Sequence, residues 1–154
     1  KAEGKESVER AVIANVDSKF IPIAGTEKIL DVDTICIAVG LTPSIELASL
    51  AGCGMMYVPE LGGNMPIHNE YMQTTIETVY IAGDIAGVEE ASTAMEEGRL
   101  AGIHAAWAMG YMTEQEMQSK TEKTRERLAA LRQGIFGLKR LIAKERVIQR
   151  GIAQ

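Results

Sequence analysis

Gly83 and Asp84 close an apolar run, Thr78 to Ala82, and stand just ahead of a long stretch with helical character. Strand, Gly-Asp, short loop, helix is an order that can do chemistry. A glycine lets the backbone approach a ligand where a Cβ would clash. An aspartate at the carboxyl end of a strand can accept hydrogen bonds from ribose-like or ribityl hydroxyls. The start of the next helix presents unpaired N–H groups and a partial positive charge, suited to a phosphate or an electron-rich ring edge. Gly-Asp is also ordinary turn chemistry, so the pair needs its context.

Other chemistry-bearing residues point to bland roles. His68-Asn69-Glu70 has the His-x-Glu spacing of zinc deaminases, but no Pro-Cys-x-x-Cys follows, so a solvated strand end is expected. His104 lies on a helix of small residues and reads as a packing residue. Cys36 reads as a small buried hydrophobe in mid-strand. Cys53, between Gly52 and Gly54, is expected to be exposed. Met55, Met56, Met65 and Met72 read as core or interface filler. No metal site is expected, and no residue stands out as an acid, base or nucleophile. The chain contains no Gly-x-Gly-x-x-Gly and no Cys-x-x-Cys.

The elements that must position Gly83 and Asp84 follow from periodicity. Ser7–Val16 alternates and predicts a strand, with a second short one at Phe20–Ile23. Asp33–Val39 is nearly all apolar after Thr34, as in a strand buried on both faces. Thr42-Pro43-Ser44 opens a short helix to about Ala51. Met55–Leu61 and Asn64–Met72 flank Gly62-Gly63 and predict a hairpin with a two-residue turn, Pro59 and Pro66 marking edges or bulges. Thr78–Ala82 is a second buried strand, and Val88 to about Met109 a helix. Beyond it, Thr113 with Glu116 has the capping-box spacing, and two helices are predicted at 113–133 and 138–149.

The chain has 154 residues, 46% hydrophobic and 24% charged, which excludes global disorder, a fibrous repeat or a rod. No apolar run is long enough for a membrane helix. Residues 1–112 hold six basic and sixteen acidic residues, while 113–154 hold ten basic and five acidic. The acidic body argues against nucleic acid as a partner. Two cysteines without a framework favour the cytoplasm. The chain opens at Lys1 without an initiator Met and reads as a piece of a larger protein.

Two stretches together resemble one superfamily. TTIETVYIAGD, with Thr74 ten residues before Asp84, resembles the C-terminal FAD-binding signature of the pyridine nucleotide-disulfide oxidoreductases. Upstream, DTICIAVGLTPS resembles their Ala-x-Gly motif, where the chain leaves the NAD(P)H domain and returns to the FAD domain. Both occur in the right order with the hairpin between them. The resemblance covers about residues 7–110. Within it, GLTPSIELASLAGC and ASTAMEEGRLAG are most similar to the α-type flavoprotein subunits of amine and amino-acid dehydrogenases or oxidases (sarcosine, proline and opine types).

The resemblance implies an α/β fold: part of a two-dinucleotide-domain FAD/NAD(P)-binding fold with a helical extension. Residues 1–40 would be the last strands of the NAD(P)-binding domain, 41–112 the C-terminal part of the FAD-binding domain, and 113–154 a basic extension. Asp84 would bond the ribityl or pyrophosphate region of FAD, with Ala82 and Gly83 giving close approach. The helix starting at Glu89-Glu90-Ala91 would face the flavin's pyrimidine edge, its two glutamates turned to solvent. Ala38 and Gly40 would shape the domain crossing. The expected whole is an FAD-dependent oxidoreductase linked to NAD or NADP through a domain not in this chain, with a small-molecule substrate and partners of its own or other oxidoreductase subunits. Two alternatives stay open: a cofactor-free piece gripping a partner through its basic helices, and a stand-alone nucleotide module.

Overall fold

The computed structural model describes residues 1–152, with Phe136 by its backbone alone. The chain divides into two compact units, residues 1–39 and residues 40–154.

The first unit is a three-stranded antiparallel sheet of β1 (Ala2–Glu3), β2 (Arg10–Ile13) and β3 (Lys28–Asp31), with β2 in the middle. Ala11 stands opposite both Ala2 and Leu30. The strand predicted over 7–16 is thus only its middle. The one predicted at 20–23 is absent, because Asp17 Oδ1 takes the N–H groups of Lys19 (2.8 Å) and Ile21 (2.9 Å) and turns the chain there. Asp33–Val39 does not form the predicted strand. It has no regular structure, with Ile37 79% and Val39 91% exposed, and Cys36 is exposed rather than buried. An apolar strand is buried only between neighbours, and among the described residues none pairs with this stretch.

The second unit begins with α1 (Glu46–Leu50) and a hairpin of β4 (Met55–Val58) and β5 (Gly63–Pro66). The hairpin is present, but its connection is a 3-10 turn at Pro59–Leu61 closed by Gly62, not a two-residue turn at Gly62-Gly63. Pro59 suits the first position of such a turn. Gly62 sits at φ +98°, where a Cβ would come 3.1 Å from the Leu41 carbonyl. Thr78–Ala82 forms no regular strand either. It makes one bridge, Gln73 to Tyr80, and the Ile81 N–H bonds the Met72 carbonyl at 3.0 Å. The expectation of mixed helix and sheet holds, while every ladder among the described residues is antiparallel.

Three helices complete the unit: α2 (Ala91–Ala108), α3 (Glu114–Leu131) and α4 (Gly134–Ile152). The capping box at Thr113 and Glu116 forms, each side chain taking the other's backbone N–H. Between α3 and α4 only Arg132 and Gln133 intervene. α4 starts earlier than predicted and keeps Gly137 inside it, where a Cβ would lie 2.5 Å from the Arg132 carbonyl.

Two small cores result. Val58, Leu61 and Met65 of the hairpin pack against Ala143 and Val147 of α4. Met72, Ile81 and Ala86 pack against Leu100 of α2 and Leu128 of α3. The α2–α3 contact also carries Glu96, a buried carboxylate paired with Arg99 and with Arg127 at 2.9 Å. Met65 and Met72 are core residues, and Cys53 is buried, its thiol 3.4 Å from Thr74 Oγ1. His104 stacks on Tyr71 and pairs through Nδ1 with the Tyr80 hydroxyl at 2.8 Å.

His68 departs from expectation. It is 1% exposed, not a solvated strand end. Its Nδ1 faces the Asn69 carbonyl at 2.9 Å. A carbonyl can only accept, so the proton sits on Nδ1 and Nε2 is left without a partner. Burial above all, with the charge of Lys144 next, lowers its pKa from 6.5 to about 4.

Two outcomes test this packing. Leu61→Ala should destabilise the chain by about 2–5 kcal/mol, read from urea unfolding, because Leu61 is fully buried between hairpin and α4. The His68 shift has a defined sign: below pH 6.5 the unfolded chain takes up a proton that the folded chain refuses until about pH 4. Stability therefore falls as pH drops through that window, by on the order of 3 kcal/mol in all. Unfolding of His68→Gln should lack this component, so the wild type and variant curves should converge toward acid pH.

Candidate functional site

Ala82, Gly83 and Asp84 form the entry to a 3-10 turn, Gly83–Ala86, rather than the tip of a strand. Ala82 is extended at φ −160° and ψ 155°. Gly83 then takes φ +74°, a conformation side chains disfavour, with a hypothetical Cβ 3.3 Å from that of Ala94 on α2. The turn is thereby pressed against the first turns of α2. Asp84 is exposed, with no ion pair among the described residues.

The start of α2 lies close in the chain. Glu90 occupies its N-cap position with no side-chain cap, and Ala91 and Ser92, both small and exposed, follow. The first N–H groups of a helix have no partner inside it, and here no side chain covers them at the cap. Small alanines, an exposed carboxylate and an open helix start fit a ligand with hydroxyl groups and phosphate or polarised ring atoms. FAD has these features.

Beneath this surface lies a buried ion cluster that the sequence reading missed. Glu97 of α2 accepts the Gly83 N–H on Oε2 at 3.0 Å. Its Oε1 accepts from Arg132 Nη2 at 2.7 Å and from Lys144 Nζ at 2.5 Å. Glu89 completes the cluster, taking Arg132 Nε at 2.9 Å and Nη2 at 2.7 Å, with Lys144 Nζ 3.6 Å away. Two carboxylates thus face two cations, the four side chains 2–9% exposed. Burial works against the charge on Arg132, but the hydrogen bonds and charges of Glu89 and Glu97 outweigh it and raise its pKa.

Glu89 therefore does not turn to solvent as expected. Arg132, forty-three residues further on, pulls it inward. Glu90 is exposed. Of the other proposed contacts, Ala38 falls in the unit of residues 1–39 and Gly40 in the unit that follows, both exposed. Within the second unit Ala82, Gly83 and Asp84 share one turn, which packs on Ala94 of α2 three residues beyond Ala91. One signal could have exposed the cluster: two glutamates, Glu96 and Glu97, amid alanines and glycines on one helix, ahead of a strongly basic tail. Among the described residues, no group of three or more His, Cys, Asp or Glu is placed to hold a metal ion, and no helix is long and apolar enough to cross a membrane.

Comparison with known proteins bears on this turn directly. Residues 4–98 match the family model described as pyridine nucleotide-disulphide oxidoreductase. An opine oxidase subunit of Agrobacterium tumefaciens is 32% identical over 79 residues, covering 51% of this chain and 16% of that protein. NADH oxidase of Methanocaldococcus jannaschii is 32% identical over 118 residues, 69% of this chain and 22% of its own. The CoA-dependent NAD(P)H sulfur oxidoreductase of Pyrococcus furiosus is 33% identical over 91 residues, 59% of this chain and 17% of that protein. The chain thus spans about a fifth or less of the length of these relatives. No solved structure matches it significantly. The matched region takes in the Gly83–Asp84 turn, the open start of α2 and Glu97, and across it the chain belongs to the pyridine nucleotide-disulphide oxidoreductase family.

Proposed function

We propose that the chain is the C-terminal part of an FAD-dependent oxidoreductase linked to NAD or NADP, and that its own contribution is to hold the flavin cofactor. The observation that carries this reading is the exposed Asp84 carboxylate on a turn whose glycine, at φ +74°, packs against Ala94 in the first turns of α2, a helix with an uncapped start. Asp84 would accept hydrogen bonds from ribityl or pyrophosphate-side hydroxyls. Ala82 would admit the backbone close to the cofactor, and Gly83, whose missing Cβ lets the turn close on Ala94, would set the turn's shape. The N–H groups at Ala91 and Ser92 would face negative charge or a polar ring edge.

In this reading residues 1–40 close the nucleotide domain, 41–112 belong to the FAD domain, and Ala38 and Gly40 mark the passage between them. FAD, when bound, would supply the electron transfer itself. This chain's residues bind, orient and bias its charge. The names of the relatives, opine oxidase among them, make an amine or amino-acid substrate the first to try. The opine oxidase relatives are named as subunits, which favours assembly with a second chain. A cytoplasmic setting fits two thiols without a disulfide between them.

A second reading has one observation of its own. Ile135, Leu138 and Ile142 form an exposed row along α4, next to Lys139 and Arg140. Such a row suits an acidic partner helix, and binding through it would not need flavin.

Mixing the purified chain with FAD, desalting, and recording the visible spectrum separates the two. On the flavin reading, absorbance near ~450 nm is retained and is lost in Asp84→Ala. Absorbance lost equally from the unaltered chain would favour the partner-binding reading, in which association weakens steeply with salt.

A further inference from the structure

Gly83 is the buried first residue of its turn, and a buried backbone donor left unpaired would be costly. Its partner does not come from the turn. It comes from Glu97, two helical turns into α2. We propose that Glu97 is a positioning residue that fixes the Gly83–Asp84 turn through this hydrogen bond, while Arg132 and Lys144 of the C-terminal extension hold its carboxylate in place. The inference rests on the reading of that turn as a cofactor contact and adds a cause for its shape.

The division of labour within the carboxylate supports it. Oε2 serves the turn alone and Oε1 serves the two cations. A carboxylate that only bridged α2 to the extension would have no need to face the Gly83 amide. A lone charge in this interior would be expelled or neutralised, so the bond to Gly83 requires positive charge on the carboxylate, which Arg132 and Lys144 supply. Two cations against one carboxylate would leave an excess, and Glu89 removes it by binding Arg132 through both oxygens. The extension therefore acts on the turn at one remove: α4 delivers Lys144, the C-cap of α3 delivers Arg132, and Glu97 passes the restraint to Gly83.

The test separates the acceptor role from the charge role. Glu97→Gln with Lys144→Met, and Glu97→Leu with Lys144→Met, both leave Glu89 and Arg132 as a balanced pair. They differ in whether an oxygen remains for the Gly83 N–H. Amide hydrogen exchange reads the turn directly, and protection in β4 and β5 reports whether the fold persists. Exchange at Gly83 should be about tenfold faster in the leucine protein than in the glutamine protein. Equal exchange at Gly83 in both, with the hairpin protected, overturns the proposal.

Glu97→Asp answers the case in which the leucine protein does not fold. It keeps the charge but withdraws the carboxylate by one methylene, which flexible Lys144 and Arg132 can follow and a backbone amide cannot. Faster exchange at Gly83 is expected there too, and unchanged exchange counts against the role. FAD titration of the same proteins distinguishes the two readings. Weaker binding in step with faster exchange upholds both. Faster exchange with unaltered FAD binding upholds the role of Glu97 and removes the turn from the cofactor site.

Discussion

The buried carboxylate of Glu97 must be met by positive charge, and the second unit is arranged around that requirement. The desolvation of an ion in a protein interior amounts to several kcal/mol, and a well-made ion pair roughly offsets it without large surplus. The cluster of Glu89, Glu97, Arg132 and Lys144 therefore adds little net stability compared with an apolar packing of the same volume. It supplies register. Apolar faces such as Val58–Leu61–Met65 against Ala143–Val147 can slide by a residue and still exclude water. Lys144 at 2.5 Å from Glu97 Oε1 cannot, because a slip would strand two charges at once. The seat of α4 on the hairpin and the seat of Arg132 under α2 are thus fixed by the same four side chains.

The sequence is most readable where structure is local. The capping box at Thr113 and Glu116, the long α2 and α3, and the hairpin around Gly62 all follow from residues within a few positions of one another. It misleads where burial depends on distant neighbours. Ile35 to Val39 has the composition of a central strand, yet composition records what a segment tolerates, and only pairing strands bury it. Thr78–Ala82 has a similar composition. It meets the turn at Met72–Thr74 instead of a ladder, so its hydrogen bonds are made one at a time.

The candidate site divides in the same way. Gly83 and Asp84 are legible in their context, since Gly-Asp between an apolar run and a helix is a short-range pattern. Their support does not. Glu97 is fourteen residues from Gly83, and its cations lie thirty-five and forty-seven residues further on. Nothing in periodicity pairs groups at such separations. His68 shows the converse: its polar neighbours, Asn69 and Glu70, suggest solvent, while Lys144 and the extension that carries it seal the imidazole in. Both errors share one cause, the basic tail, whose charge balance was visible and whose destination was not.

That tail also resolves a conflict at the start of α2. The helix dipole places partial positive charge there, which favours an anionic or electron-rich ligand. Glu89 and Glu90 would cancel it if both faced the same space. Glu89 is instead turned inward and neutralised by Arg132, leaving only Glu90 exposed at the N-cap. Glu97, which must be close to the turn to hold Gly83, is neutralised by the same cation and by Lys144. The acidic character of residues 1–112 and the basic character of the extension therefore meet in the interior, and the open end of α2 keeps its polarity because the compensation happens behind it.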